Sequence, residues 1–337
     1  MQHNDAQLSP NQKKKFVTTF FFLQHLKRSI KGDNLFIVVT AAASSSILII
    51  MALMIFKIYD GAAPVFERFG VNFLTGLEWN PVEGMEAYGA LPYLLGTITT
   101  SAIALVVGVP ISLGVAIFLA EIAPSSIRAP LSYIIELLAA VPSVIYGLWG
   151  VFVFRFWVRD LIEKPLSTYL GFVPIFSGTP YGLSILSGGL ILSIMIIPTV
   201  SAVCREVLLS VPATQRDAAY SLGATRWEAI RIGVLSYARA GIIGAIILGL
   251  GRAVGETMAV TMVIGNAIGP SALPTSLLKA GQTMASLIAN EFNEADPVSL
   301  HPSALIGVGF ILLLSALLIN VAAQILIYRV RMKGVVE

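Results

Sequence analysis

The sequence predicts an all-α, polytopic membrane protein with six transmembrane helices, and three observations carry that prediction. Only 12% of the 337 residues are charged, about half the share of a soluble domain, and the mean hydropathy is +0.83. Six nearly uncharged windows of roughly 18 residues or more occur, at about 35–56, 94–120, 132–154, 183–204, 240–265 and 303–328. Lys and Arg are distributed unevenly over the segments between them, which sets an orientation.

At the N-terminus, Lys13, Lys14 and Lys15 precede the run FVTTFFFLQHL, which Lys27 and Arg28 cut short of a span. The next apolar stretch, LFIVVTAAASSSILIIMALMIF, is long enough for a full crossing and reads as an uncleaved first helix. Its AAASSS core mimics a small-residue cleavage site, the alternative reading. Phe16, Phe20 and Leu23 share one helical face beside basic residues. Either a short helix on the membrane surface or a disordered basic tail fits that pattern. The chain thus divides into a cytoplasmic N-terminal segment (1–34), a membrane domain (35–330) and a cytoplasmic tail (331–337).

The first outer loop, 57–93, carries Glu67, Glu78, Glu83 and Glu86 with Trp79. Pro110, Pro142 and Pro198 fall in the second, third and fourth spans, where a proline removes a hydrogen bond and kinks the helix. Prolines are also simply commoner in membrane helices. Glu136 lies a few residues into the third span. Cys204, the lone cysteine, ends the fourth, so no disulfide forms within the chain. The last outer loop, 266–302, contains SLLKAGQTMASLIANEF, an expected amphipathic helix. With the N-terminus inside, the inner segments hold fifteen of the 22 Lys and Arg and the outer loops six, leaving Arg252 within a span. Both termini are therefore expected in the cytoplasm. The net charge of +3 is a topology signal in a chain surrounded by lipid, and no nucleic-acid partner is expected.

Reactive chemistry is sparse. No Lys follows a Gly, so a phosphate-binding Walker A loop is excluded, and no G-x-S-x-G elbow occurs. His3, His25 and His301 lie far apart in sequence, so an H-E-x-x-H zinc site is excluded and no metal or cofactor is expected in this chain. Glu136 and Glu256 are the only carboxylates deep in the predicted spans. The chain is not expected to be an enzyme by itself.

The inner segment 205–239, REVLLSVPATQRDAAYSLGATRWEAIRIGVLSYAR, is too polar to cross. RDAAYSLG suits a short helix stopping at Gly223. TRWEAIRIGVL suits a second, capped by Thr225 with Glu228 three residues on. Helix, Gly turn and helix make a compact knob able to fill a partner's pocket. Here the chain resembles the permease subunits of ATP-binding-cassette importers, which carry an E-A-A-x-x-x-G motif with apolar, Leu and Pro positions downstream. Asp217, Ala218, Ala219 and Gly223 match at that spacing, and Leu235 is in place. Asp217, Gly233 and Ser236 stand where Glu, Ile and Pro are usual. The resemblance implies a coupling helix that seats in a groove on the ATPase. IELLAAVPSVIYGLWG, GLGRAVGETMAVT and ANEFNEA are similar to the phosphate-specific importers, closer to the PstC-type permease than to the PstA-type, from about Tyr88 to the C-terminus. This implies a type I importer permease fold in a bacterial inner (plasma) membrane.

Arg252 and Glu256 are the only charges between Arg239 and Lys279. On one continuous helix, Gly244, Ala245, Gly249, Gly251, Arg252, Gly255 and Glu256 fall within about 80° of Gly241, opposite the bulky residues. An Arg at mid-helix costs about 2.5–3.5 kcal/mol even on insertion scales, so the pair is expected to have a purpose. Their i,i+4 spacing permits local neutralisation. Three roles compete: lining a substrate path, with Arg252 offering donors to an oxyanion; clamping neighbouring helices; and relaying protons through Glu256, with Glu136. Gly251 and Gly255 match the G-x-x-x-G packing pattern, with contact expected to a partner permease at the pore.

The resemblance implies one half of the path of a phosphate importer, completed by a PstA-type second permease. Two ATPase subunits that hydrolyse ATP with Mg and a periplasmic phosphate-binding protein would complete the system. The rivals are a permease for sulfate or molybdate, a stand-alone channel or proton-coupled transporter, and a membrane scaffold.

Overall fold

The structure, a computed structural model, describes the backbone of residues 10–336 and the side chains of 33–325, 327 and 328. It falls into two units, 1–57 and 58–337. The principal helices are α1 (Pro10–Phe69), α2 (Leu91–Ile122), α3 (Ser125–Ala139), α4 (Ser143–Leu170), α5 (Ile185–Leu209), α6 (Ala213–Ser221), α7 (Arg226–Val254), α8 (Met258–Val263), α9 (Met284–Glu291) and α10 (His301–Val336). Among the described residues the only strands are Trp79–Asn80 and Ala87–Tyr88, one antiparallel pair. The all-α class therefore stands.

In the first unit every described side chain from 33 to 57 is exposed, including Leu35, Phe36, Ile47 and Leu48. Such a surface suits hydrocarbon or a neighbouring chain, not water. The expected face of Phe16, Phe20 and Leu23 lies outside the described side chains.

In the second unit α2 and α5 form the most extensive helix pair, with α7 against both. Their shared core holds Ala104, Leu192, Ile196, Val200, Cys204, Ala245 and Ala253. Small residues let the backbones approach: a Cβ on Gly189 would lie 2.5 Å from Ile103, and one on Gly249 2.5 Å from Val200. Close packing of this kind substitutes for the hydrophobic effect, which is absent between helices in lipid. A second core, with Phe73, Trp79, Tyr88, Tyr93, Met284 and Leu305, orders the loops at the other end. There Glu291 accepts from Trp79 Nε1 and lies 2.8 Å from His301 Nε2.

Among the described residues five helices are long and apolar enough to cross a membrane, and six if α3 and α4 count as one broken span. The third predicted span is this pair, bent by 89° at residues 140–142. Pro142 breaks the helix here instead of kinking it. It biases Val141 away from helical backbone and takes the N-cap position of α4 with extended geometry. Pro110 and Pro198 remain inside α2 and α5. The fifth predicted span, 240–265, also changes shape. α7 begins at Arg226, absorbs the second knob helix and continues through a π-helical turn at Ile230–Leu235. Ser236, where a proline would have interrupted, keeps its N–H and lets the helix run on. α7 then stops at Val254. The helix expected within 276–292 is confined to α9, where Thr283 and Ser286 form a capping box.

Candidate functional site

Arg252 lies in the last turn of α7, half-buried, and its Nη1 donates to Thr199 Oγ1 at 2.6 Å. Thr199 stands 14 residues after the start of α5 and 10 before its end, so about 21 Å and 15 Å from the two ends at 1.5 Å per residue. The guanidinium is therefore near the middle of the bundle's depth. Across the α3–α4 break the Tyr146 hydroxyl of α4 donates to Leu138 O of α3 at 3.0 Å.

Glu256 does not pair with Arg252, and this corrects the geometry expected of a continuous helix. Gly255 caps α7, and residues 255–257 are unwound before α8. The Glu256 carboxylate accepts from Ala259 N at 3.2 Å, at the start of α8. Glycine is a poor helix former, by about 1 kcal/mol against Ala, and Gly249, Gly251 and Gly255 all fall in the last two turns of α7 and its cap. The free N–H groups of α8 supply the carboxylate with a partner that a continuous helix would have lacked.

The break at 255–257 and the break at 140–142 lie side by side, because α4 packs on α8. A Cβ on Gly147 would lie 2.6 Å from Met262 Sδ and 3.1 Å from Ala259 Cα, so only glycine permits that contact. Unwound backbone at membrane depth is tolerated where protein buries it or where it lines an aqueous cavity. Gly251 and Gly255 are exposed, and a Cβ on Gly251 would meet nothing within 4 Å. Gly244 has the same free space, and Leu248 between them is exposed. This stripe of α7 beside Arg252 is open in the single chain. Glu136 is engaged elsewhere, 3.1 Å from Arg205 Nη2 at the far end of α5, so it is not brought to Glu256.

The knob takes the expected form. α6 spans Ala213–Ser221, Gly223 adopts φ +80°, and Thr225 and Glu228 form the capping box. Hydrogen bonds from its backbone and hydroxyl of Thr225 hold the Glu228 carboxyl below the usual range. Asp217 and Ala218 are exposed while Ala219 is buried. Leu222 is 90% exposed and Trp227 58%, a large apolar presentation on a polar loop. Gly233, a departure from the resembled motif, sits against α6: a Cβ there would lie 2.8 Å from Gln215 O.

The sequence did not reveal what anchors the knob. Arg216 Nε lies 3.2 Å from both carboxylate oxygens of Glu121 at the end of α2, and Nη2 also bonds that carboxylate. The same guanidinium donates to Leu208 O at 3.2 Å, in the last turn of α5, and to Val211 O at 2.7 Å, two residues past its end. Arg226 at the start of α7 donates to Glu121 O. Thus three span ends converge on the knob. Glu163 was also missed: fully buried, it accepts from Gly182 N at 2.8 Å and Ser184 Oγ at 2.6 Å. Among the described residues no group of three or more His, Cys, Asp or Glu side chains is placed to hold a metal.

Comparison with known proteins bears on this arrangement. Residues 108–332 match the family described as binding-protein-dependent transport system inner membrane component. The chain is 46% identical over 288 residues to the phosphate transport system permease protein PstC of Pasteurella multocida, covering 84% of this chain and 87% of that one. With PstC of Haemophilus influenzae the identity is 42%, over 84% and 89% of the two chains. The probable PstC of Methanocaldococcus jannaschii is 35% identical over 81% and 86%. Among solved structures, a bacterial ABC transporter involved in import of the acidic polysaccharide alginate superposes with a TM-score of 0.51 at 18% identity, covering 71% of this chain and 79% of that one, a likeness of fold alone. A chain with these broken spans, this knob and this degree of identity belongs to the binding-protein-dependent transport system inner membrane components, in the PstC group of permeases.

Proposed function

We propose that the protein is one half of the translocation path of an ATP-driven phosphate importer, lying in a bacterial inner membrane with both termini in the cytoplasm. The observation that carries this reading is Arg252, a half-buried guanidinium without a carboxylate partner, at mid-depth beside two broken helices. A planar fork of donors suits a tetrahedral oxyanion, and Thr199 adds a hydroxyl beside it. Glu256, held at the start of α8, accepts from a protonated phosphate oxygen or orders the unwound segment. The open stripe of Gly244, Gly251 and Gly255 receives a PstA-type second permease, which closes the path from the other side.

Energy enters through the knob. Two ATPase subunits hydrolyse ATP with Mg; one seats Asp217, Ala218, Ala219 and Gly223 in a groove, with Leu222 and Trp227 as apolar anchors. Motion passes along α7, which joins the knob directly to Arg252. A periplasmic phosphate-binding protein meets the loops ordered around Trp79, Glu291 and His301.

Reconstitution of the complex in vesicles tests this, with uptake of labelled phosphate and ATP hydrolysis measured for wild type and Arg252→Lys. Assembly intact with uptake lost supports the path role. Failure of the two permeases to assemble assigns Arg252 to a clamp on Thr199 instead. Phosphate uptake by the isolated chain without ATPase would refute the importer reading.

A further inference from the structure

A polar pocket lies away from Arg252, at the end of the bundle that carries the knob. It has a volume of about 430 Å³ and is lined by Ser125, Arg128, Ser132, Tyr133, Glu136 and Arg205, between α3 and the end of α5. Both arginines have a buried Nε–H with no acceptor. Neither donor is used by the protein's own groups, so each is free to meet an acceptor that a ligand brings. Arg205 is held through Nη2 by Glu136 at 3.1 Å and Glu206 at 2.6 Å, so its charge is largely compensated. Arg128 is not compensated. Its Nη2 donates to Ala123 O at 3.1 Å, and no carboxylate pairs with it among the described residues. The first turn of α3 adds a favourable dipole: its N-cap is Pro124, which offers no side-chain acceptor.

The same pocket is lined by Ala129 and Leu209, and the Leu209 side chain and the Tyr133 ring are exposed at its mouth. A charged cup next to an apolar wall matches an acidic headgroup and its chains, and basic pockets between spans on the inner side hold anionic lipids. We infer that the Arg128 pocket binds a phosphate group, either the phosphodiester of an anionic phospholipid or free phosphate. Arg128 supplies the net charge, Arg205 Nε–H and the Ser125, Ser132 and Tyr133 hydroxyls supply further donors, and Glu136 sets the boundary by repelling a second anion. This assignment does not depend on the path role of Arg252.

The test uses the whole complex, wild type and Arg128→Gln, in nanodiscs of mixed phosphatidylcholine and phosphatidylglycerol. Retained lipid is counted by mass spectrometry and bound labelled inorganic phosphate by equilibrium dialysis. Preferential retention of phosphatidylglycerol should fall about fivefold in Arg128→Gln, the factor one basic residue supplies near an anionic surface, and Arg128→Lys should restore most of it. If labelled phosphate is instead the species lost with Arg128→Gln, the source is free phosphate and the pocket assignment stands. Equal lipid and phosphate binding by wild type and Arg128→Gln overturns it. Should Arg128→Gln fail to assemble, Ser125→Ala paired with Ser132→Ala carries the same comparison.

Discussion

Replacing Glu121 by Gln should uncouple ATP hydrolysis from transport without disturbing the substrate site. The Glu121 carboxylate holds Arg216 of the knob, and Arg216 in turn holds the carbonyls of Leu208, in the last turn of α5, and of Val211 just beyond it. Breaking a fully buried ion pair costs about 3–5 kcal/mol, and losing an exposed one about 1 or less. With side chains 23% and 10% exposed, this pair falls between, and the amide retains one acceptor. Seating of the knob should weaken by about 2 kcal/mol, roughly 30-fold in the equilibrium constant. In vesicles holding the complete complex, the maximal uptake rate and the phosphate moved per ATP should both fall. KM for phosphate, set around Arg252, should not move. A double-mutant cycle closes the argument: Glu121→Gln added to Arg216→Met should cost no more than Arg216→Met alone. Additive losses, or a raised KM with an unchanged maximal rate, would refute the latch.

Further outcomes follow from close contacts and buried groups. Gly251→Leu places its Cβ where nothing of its own chain lies within 4 Å, so the isolated permease should keep its melting temperature while co-purification of the second permease is lost. Gly96→Ala is the opposite case, since its Cβ would lie 2.1 Å from Gln282 O, a backbone atom that cannot swing aside; the chain itself should fail to accumulate in membranes. Gly233→Ala should push α6 off α7 through the Gln215 carbonyl and lower ATPase stimulation more than phosphate affinity. Glu163→Gln keeps the shape but replaces one acceptor oxygen by an NH2 donor facing Gly182 N or Ser184 Oγ; thermal unfolding should report a loss of about 1–3 kcal/mol.

Spans and knob were legible because they depend on composition and spacing over many residues. An apolar run of twenty residues has few alternatives in a membrane, and a cap at Thr225 with Glu228 and a turn at Gly223 act within four residues of themselves. The breaks were harder to read. Pro142 looked like Pro110 and Pro198, yet only it ends a helix. What distinguishes it is α4 packing on α8 through Gly147, a contact between segments more than 100 residues apart. The same holds for Arg252. Its position in an apolar run marked it as costly, but the i,i+4 partner that local spacing offered is not the one it takes. Thr199, one polar residue beside Pro198 in another span, accepts one of its five N–H donors, and Glu256 goes to the start of α8. Charges in a low-dielectric region choose the partner that leaves the fewest unsatisfied groups, and that sum includes backbone N–H donors freed by a helix break. Sequence spacing counts side chains alone. A charged pair flanked by glycines in a membrane run should therefore be read first as a helix break that exposes backbone, and only then as an ion pair.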